Sequence, residues 1–128
     1  LNRYSFLLIF FALLSGYPAQ AQDAAKGEAV FKKCVVCHAV GENARNKVGP
    51  KLNGIIGSKA AGVEDYSYSP AMKNSNVTWT DDVFTTYITN PHLMIPGSKM
   101  AFAGISNEQD IKDLIAYLKK FKADGTAN

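Results

Sequence analysis

Residues 34 to 38 read Cys34-Val35-Val36-Cys37-His38, and they hold both cysteines of the 128-residue chain and one of its two histidines. Two thiols three positions apart, followed at once by an imidazole, suit covalent haem attachment. Each sulfur can add to a porphyrin vinyl group, and the tether leaves His38 beneath the iron as first axial ligand. Three other chemistries use part of the pattern. A thioredoxin-like pair needs its low-pKa cysteine at a helix start inside a βαβ unit, which the chain lacks. A structural zinc site needs four ligands, and His92 has no partner at ligand spacing. A disulfide across two residues would close a loop too tight to add much stability.

Upstream of this stretch, residues 1 to 21 read as an export leader. Arg3 supplies a positive start, Tyr4 to Leu14 is nearly all apolar, and Ala19-Gln20-Ala21 matches a small-x-small cleavage site, so the mature chain is expected to be the single domain 22–128. A retained anchor would need about 20 apolar residues to span a bilayer, more than this run supplies. Leu1, in place of an initiating Met, is consistent with a non-standard start codon or a missing beginning. Export to the periplasm also bears on the cysteines. An oxidising compartment would turn a free pair into a disulfide, so a pair placed before a histidine fits haem capture after translocation. No second membrane-spanning candidate follows Gln22.

The mature 107 residues make one small domain, which buries only about two-thirds of its unfolded surface, so a large apolar cofactor would add core cheaply. The chain has 14 Lys and Arg against 11 Asp and Glu, a net +3 that falls to +2 once Arg3 is removed. That is too little to argue for nucleic acid. Lys32 and Lys33 precede Cys34, and Lys99 precedes Met100, whereas acids gather at Glu64-Asp65 and Asp81-Asp82. A positive rim near the haem edge is expected.

Asp23 can cap a first helix from Ala24 to Lys33, with Gly27 open to close approach by another helix. After His38, repeated Gly and Pro give little periodicity, and a segment that long without structure suits a chain wrapped around a cofactor. Ser69-Pro70 starts a short helix through Asn74, and Thr80 caps the next, which Pro91 limits. Met94 to Met100 reads as extended with turn residues. The last helix opens at a capping box, Ser106 with Gln109, repeats Ile111, Leu114, Ile115, Leu118 and Phe121 at helical spacing, and can be stopped by Gly125. No convincing strand is found. The mature chain is expected to be helix and loop.

An iron held by His38 needs a partner opposite it. Met72, Met94, Met100 and His92 are the candidates, and local sequence favours Met100, in an extended loop between Gly97 and Gly104, only in part.

Lys26-Gly27-Glu28, Cys34 to His38, Lys47-Val48-Gly49-Pro50, Tyr66-Ser67-Tyr68, Val77-Thr78-Trp79 and the PGSKMAFAG of residues 96–104 together resemble a class I c-type cytochrome, closest to bacterial cytochromes c2. The resemblance covers essentially all of the mature chain in one order. It implies an all-α cytochrome c fold, with the first and last helices crossing and short helices and loops wrapped around one covalent haem c. It implies thioether links to Cys34 and Cys37, with His38 and Met100 as iron ligands. By the same resemblance, the Pro50 carbonyl would orient His38, Tyr68 and Trp79 would donate to a haem propionate, Tyr87 would lie near the Met100 sulfur, and Gly27 and Phe31 would pack across Leu114 and Tyr117. Two departures stand out. Ser58 replaces a frequent arginine near the propionate, and Met72 a frequent asparagine beside the methionine ligand; their effects on reduction potential oppose each other.

The expected function is a periplasmic, monomeric electron carrier and not an enzyme. It would take electrons from a quinol-oxidising bc1 complex and pass them to an oxidase or photosynthetic reaction centre, docking briefly near Lys33, Lys47 and Lys99, with apolar contact around Val35 and Phe102. The rival is a haem enzyme or sensor whose sixth iron position is open.

Overall fold

The computed structural model describes residues 21–128, so all of the expected leader but Ala21 lies outside the described residues. Helix α1 spans Ala24–Phe31 because the Asp23 carboxylate accepts from the backbone N–H of Ala25 and of Lys26, at 2.9 and 3.1 Å. It stops two residues earlier than its sequence suggests. From Phe31 the backbone tightens into successive turns, Cys34 N to Phe31 O at 2.7 Å and His38 N to Cys34 O at 2.8 Å, which carry the cysteines and the histidine away from the helix end.

Helices α2 (Pro70–Lys73) and α3 (Asp81–Thr89) begin where expected, capped by Ser69 and Thr80, though α2 ends one residue short of Asn74. A further helix, α4 (Pro91–Met94), was read as a stop followed by extended chain. Proline cannot continue α3 but suits a first helical position, and the Asn90 side chain accepts from Leu93 N at 3.2 Å to cap a new turn.

The last helix, α5 (Glu108–Leu118), buries Ile111, Leu114, Ile115 and Leu118 as their spacing requires. Its cap is Asn107 rather than Ser106: the Asn107 side chain accepts from Asp110 N at 3.0 Å, which leaves Gln109 to donate to Asp113 instead. Gly125 does not end α5 either. Lys119 caps it, and Gly125 turns the chain further on, donating to Lys122 O at 2.8 Å.

Gly27 sets how α1 meets α5. A Cβ there would lie 1.9 Å from the Asp113 carbonyl oxygen and 2.8 Å from Tyr117 Cβ, so the two backbones pass in direct contact. Phe31 stacks on Tyr117 with ring centroids 5.4 Å apart, in one core with Val30, Leu114 and α3's Phe84 and Ile88. A second, smaller core gathers Trp79, Tyr87 and Ile95.

Residues 39–69 contain no helix and fold by local backbone pairing. Gly41 and Asn53 exchange two hydrogen bonds, at 2.8 and 2.9 Å, Leu52 N donates to Ala39 O, and Gly54 N donates to Phe121 O. Among the described residues the only ladder contacts are isolated bridges, Lys59 with Thr78 and Phe121 with Ala127. No helix among them is long and apolar enough to cross a membrane.

Candidate cofactor site

The irregular loops and the helices enclose a cavity of about 980 Å³, at the upper end of ligand-pocket size. Cys34, Cys37, His38, Pro50, Tyr68, Trp79, Tyr87 and Met100 all line it, although they are scattered over 67 positions of sequence.

On one wall, His38 Nδ1 lies 2.7 Å from the Pro50 carbonyl oxygen. A carbonyl can only accept, so Nδ1 carries the proton and Nε2 keeps a free lone pair. Burial pushes the His38 pKa down, partly offset by the Pro50 bond and reinforced by nearby Lys47, which favours the neutral ring that a metal needs. Gly49 packs flat against this ring. A Cβ there would sit 2.4 Å from His38 Cε1, so any other residue would displace the imidazole.

Elsewhere in the lining, the Tyr87 hydroxyl donates to the Met100 sulfur at 3.6 Å, and Met100 N donates to Ser98 Oγ at 3.4 Å. Burial pushes the Tyr87 hydroxyl pKa up, and its hydrogen bond with Ser98 draws it partly back. Tyr87 also packs against Trp79, ring centroids 4.8 Å apart. Tyr68 accepts from Val63 N at 3.1 Å, which leaves its own proton free to donate.

The cavity narrows the four candidates for a second ligand to two. Met72 and Met100 line the cavity; His92 is exposed on α4, and Met94 packs against the Trp79 core and lines a smaller surface cleft. The rival chemistries for the cysteines lose support. Burial raises the Cys34 pKa to about 11, against the low value a thiol oxidoreductase needs. Among the described residues no three His, Cys, Asp or Glu side chains gather to hold a metal such as zinc.

The sequence reading did not foresee how the rim is held. The ammonium of Lys47 donates to Val35 O, and that of Lys99 to Ser67 O, while Tyr66 donates to Val48 O at 2.6 Å. Gly49 belongs to the Lys47-Val48-Gly49-Pro50 stretch, and its burial against His38 gives it a role. Ser58, where relatives often carry arginine, spends its hydroxyl on Ile55 O at 2.7 Å.

A nitrogen donor with a free lone pair, a thioether sulfur in the same cavity lining and two thiols beside the histidine form the donor set of a covalently bound haem with Met/His ligation. The residues therefore fit that group. The cytochrome c family model matches residues 24–122. The chain is 54% identical over 118 residues to cytochrome c2 of Blastochloris viridis, covering 92% of this chain and 93% of that one. It is also 54% identical over 102 residues to cytochrome c-550 of Bradyrhizobium diazoefficiens, covering 80% and 75%. Cytochrome cH from Methylobacterium extorquens superposes with a TM-score of 0.72 at 41% identity, covering 77% of this chain and 98% of that one. The chain belongs to the cytochrome c family, which implies a covalent haem c. Within it, the chain is a class I c-type cytochrome close to the cytochromes c2.

Proposed function

We propose that this protein is an exported one-electron carrier rather than an enzyme. Residues 1 to 21 are removed on export, and 22–128 works as a periplasmic monomer between a quinol-oxidising bc1 complex and an oxidase or photosynthetic reaction centre. Cys34 and Cys37 hold the haem by thioethers, and His38 and Met100 ligate its iron. A haem so bound supplies one-electron exchange between ferrous and ferric iron.

The observation that carries this reading is that His38, with its proton fixed on Nδ1 by Pro50, and the Met100 sulfur line one cavity. Gly49 and Pro50 hold the imidazole; Tyr87 and Ser98 hold the thioether. With His38 and Met100 held in place by the protein, little atomic rearrangement would accompany gain or loss of an electron by a haem bound between them. Tyr68, with its proton free, and buried Trp79 supply donors for propionate oxygens, whose burial would otherwise cost free energy. A polarisable sulfur and the apolar side chains that line the cavity would favour the ferrous state.

Partners would meet the rim where exposed Lys33, Lys47 and Lys99 surround apolar Val36 and Val48, which are 77% and 74% exposed. Charge steers the encounter and a small interface lets the partner leave.

The test is spectroscopic. Protein purified from the periplasm should carry one haem by mass, begin at Gln22, and give a six-coordinate low-spin ferric spectrum with a sulfur-to-iron charge-transfer band. Ready carbon monoxide binding by the reduced protein at neutral pH would sink the carrier reading in favour of an open-site enzyme or sensor. Met100→Ala should create that reactivity.

A further inference from the structure

The two walls of the cavity come from distant parts of the chain, and one side chain touches both. The Tyr66 hydroxyl donates to Val48 O at 2.6 Å. Val48 adjoins Gly49, whose N–H donates to Cys37 O at 2.8 Å and whose backbone lies against the His38 ring, so this bond reaches the histidine wall. On its other side, the Tyr66 ring lies under the Lys99 ammonium, 4.9 Å from ring centroid to nitrogen and within cation–π range. Lys99 immediately precedes Met100, and its ammonium also donates to Ser67 O, next to Tyr66. Tyr68 braces the ring edge-on, with centroids 4.8 Å apart.

We propose that Tyr66 is a positioning residue that couples the two walls, so that the 47–52 loop behind His38 and the 97–104 loop bearing Met100 loosen together. The physical reason lies in what holds each loop. Neither is part of a helix, and each reaches Tyr66 through a polar contact of its own, one through the hydroxyl and one through the ring face. Released from Tyr66, the Met100 loop keeps Lys99 on Ser67 O and the Tyr87 hydroxyl on the Met100 sulfur, with short-range ties such as Met100 N to Ser98 Oγ, but none of these reaches the 47–52 loop. The Tyr66 ring therefore governs how often the Met100 sulfur leaves its place, although it touches neither iron ligand itself. This rests on the assignment of His38 and Met100 as ligands, and the wild-type spectrum tests that assignment separately.

The experiment compares haem-loaded wild type with Tyr66→Phe, Lys99→Gln and the double variant. Phenylalanine keeps the half-buried ring and removes only the hydroxyl. Two readouts are taken: amide hydrogen exchange in 47–52 and 97–104, and the rate at which imidazole replaces the methionine on ferric iron. Tyr66→Phe should speed exchange in both segments, and imidazole entry with it, by roughly three- to tenfold, the range one lost hydrogen bond allows. Lys99→Gln should likewise loosen 47–52, which it does not touch, and the double variant should do little more than the larger single change. Loosening confined to 47–52 in Tyr66→Phe with imidazole entry unchanged, or additive effects in the double variant, would show two independent loops and overturn the proposal.

Discussion

Where α1 crosses α5, backbone meets backbone at Gly27, and Ile111, Leu114 and Leu118 are 1–2% exposed. Across the molecule, the loops of 39–69 and 95–104 turn their inner face to a cavity of about 980 Å³ and are tied mainly by backbone and rim hydrogen bonds. The first region is packed mainly by its own side chains, with only the flanks of Phe31, Leu114 and Leu118 also lining the cavity. The second has an interior only when something fills it, so one small domain combines a self-sufficient half with a dependent one.

The sharpest way to break this contrast is to prevent haem attachment. Haem would cover the apolar side chains that line this cavity, and the burial lost without it is a large share of the ~5–15 kcal/mol that holds a domain folded. Cys34→Ser with Cys37→Ser should therefore lose near-ultraviolet circular dichroism and hydrogen-exchange protection through 39–69, with residual protection confined to α1 and α5. Loops that stay protected without haem would show that they carry their own stability.

Gly27→Val attacks the other half. Its Cβ would press on the Asp113 carbonyl at 1.9 Å, and backbone cannot rotate away as a side chain can. The helices must separate, with a loss of about 3 kcal/mol or more in denaturant unfolding of the haem-loaded protein.

Tyr87→Phe is smaller and confined to the dependent half. Removing the hydroxyl 3.6 Å from the Met100 sulfur should cost about 1 kcal/mol, read as tighter imidazole binding at the iron. Exchange in α1 and α5 should not change. The smallest effect belongs to Lys119→Ala, which removes an exposed ion pair with Asp81 at 2.7 Å. Its loss should cost less than ~0.5 kcal/mol, and that difference should vanish in high salt.

What the sequence disclosed follows the same division. The caps at Asp23, Ser69 and Thr80 and the spacing of α5 are local signals, and the helices they start are where those residues say. Cys34, Cys37 and His38 were legible because the chemistry needs them adjacent. Met100 was different. Spacing left it among four candidates, the cavity narrows them to Met72 and Met100, and only family resemblance singles out Met100. The misreadings came from near-equivalent local choices: Ser106 against Asn107 as a cap, and Pro91 as the end of one helix or the start of another. Tyr66, Lys47 and Lys99 were opaque for another reason. Their partners lie 18, 12 and 32 residues away, and no sequence period encodes contacts between loops at such distances.

The unbroken backbone path from the Asp23 cap through α1 and the turns of 32–38 makes the first helix a lever whose fulcrum is Gly27 and whose load is the imidazole. Gly27 stands four residues before the helix end at Phe31, roughly 6 Å along the axis, and the turns of 32–38 follow directly. A tilt imposed at the crossing should thus reach His38 as a rotated ring. Remote substitutions near the two chain ends should register in the paramagnetic shifts of His38 before they register in melting temperature.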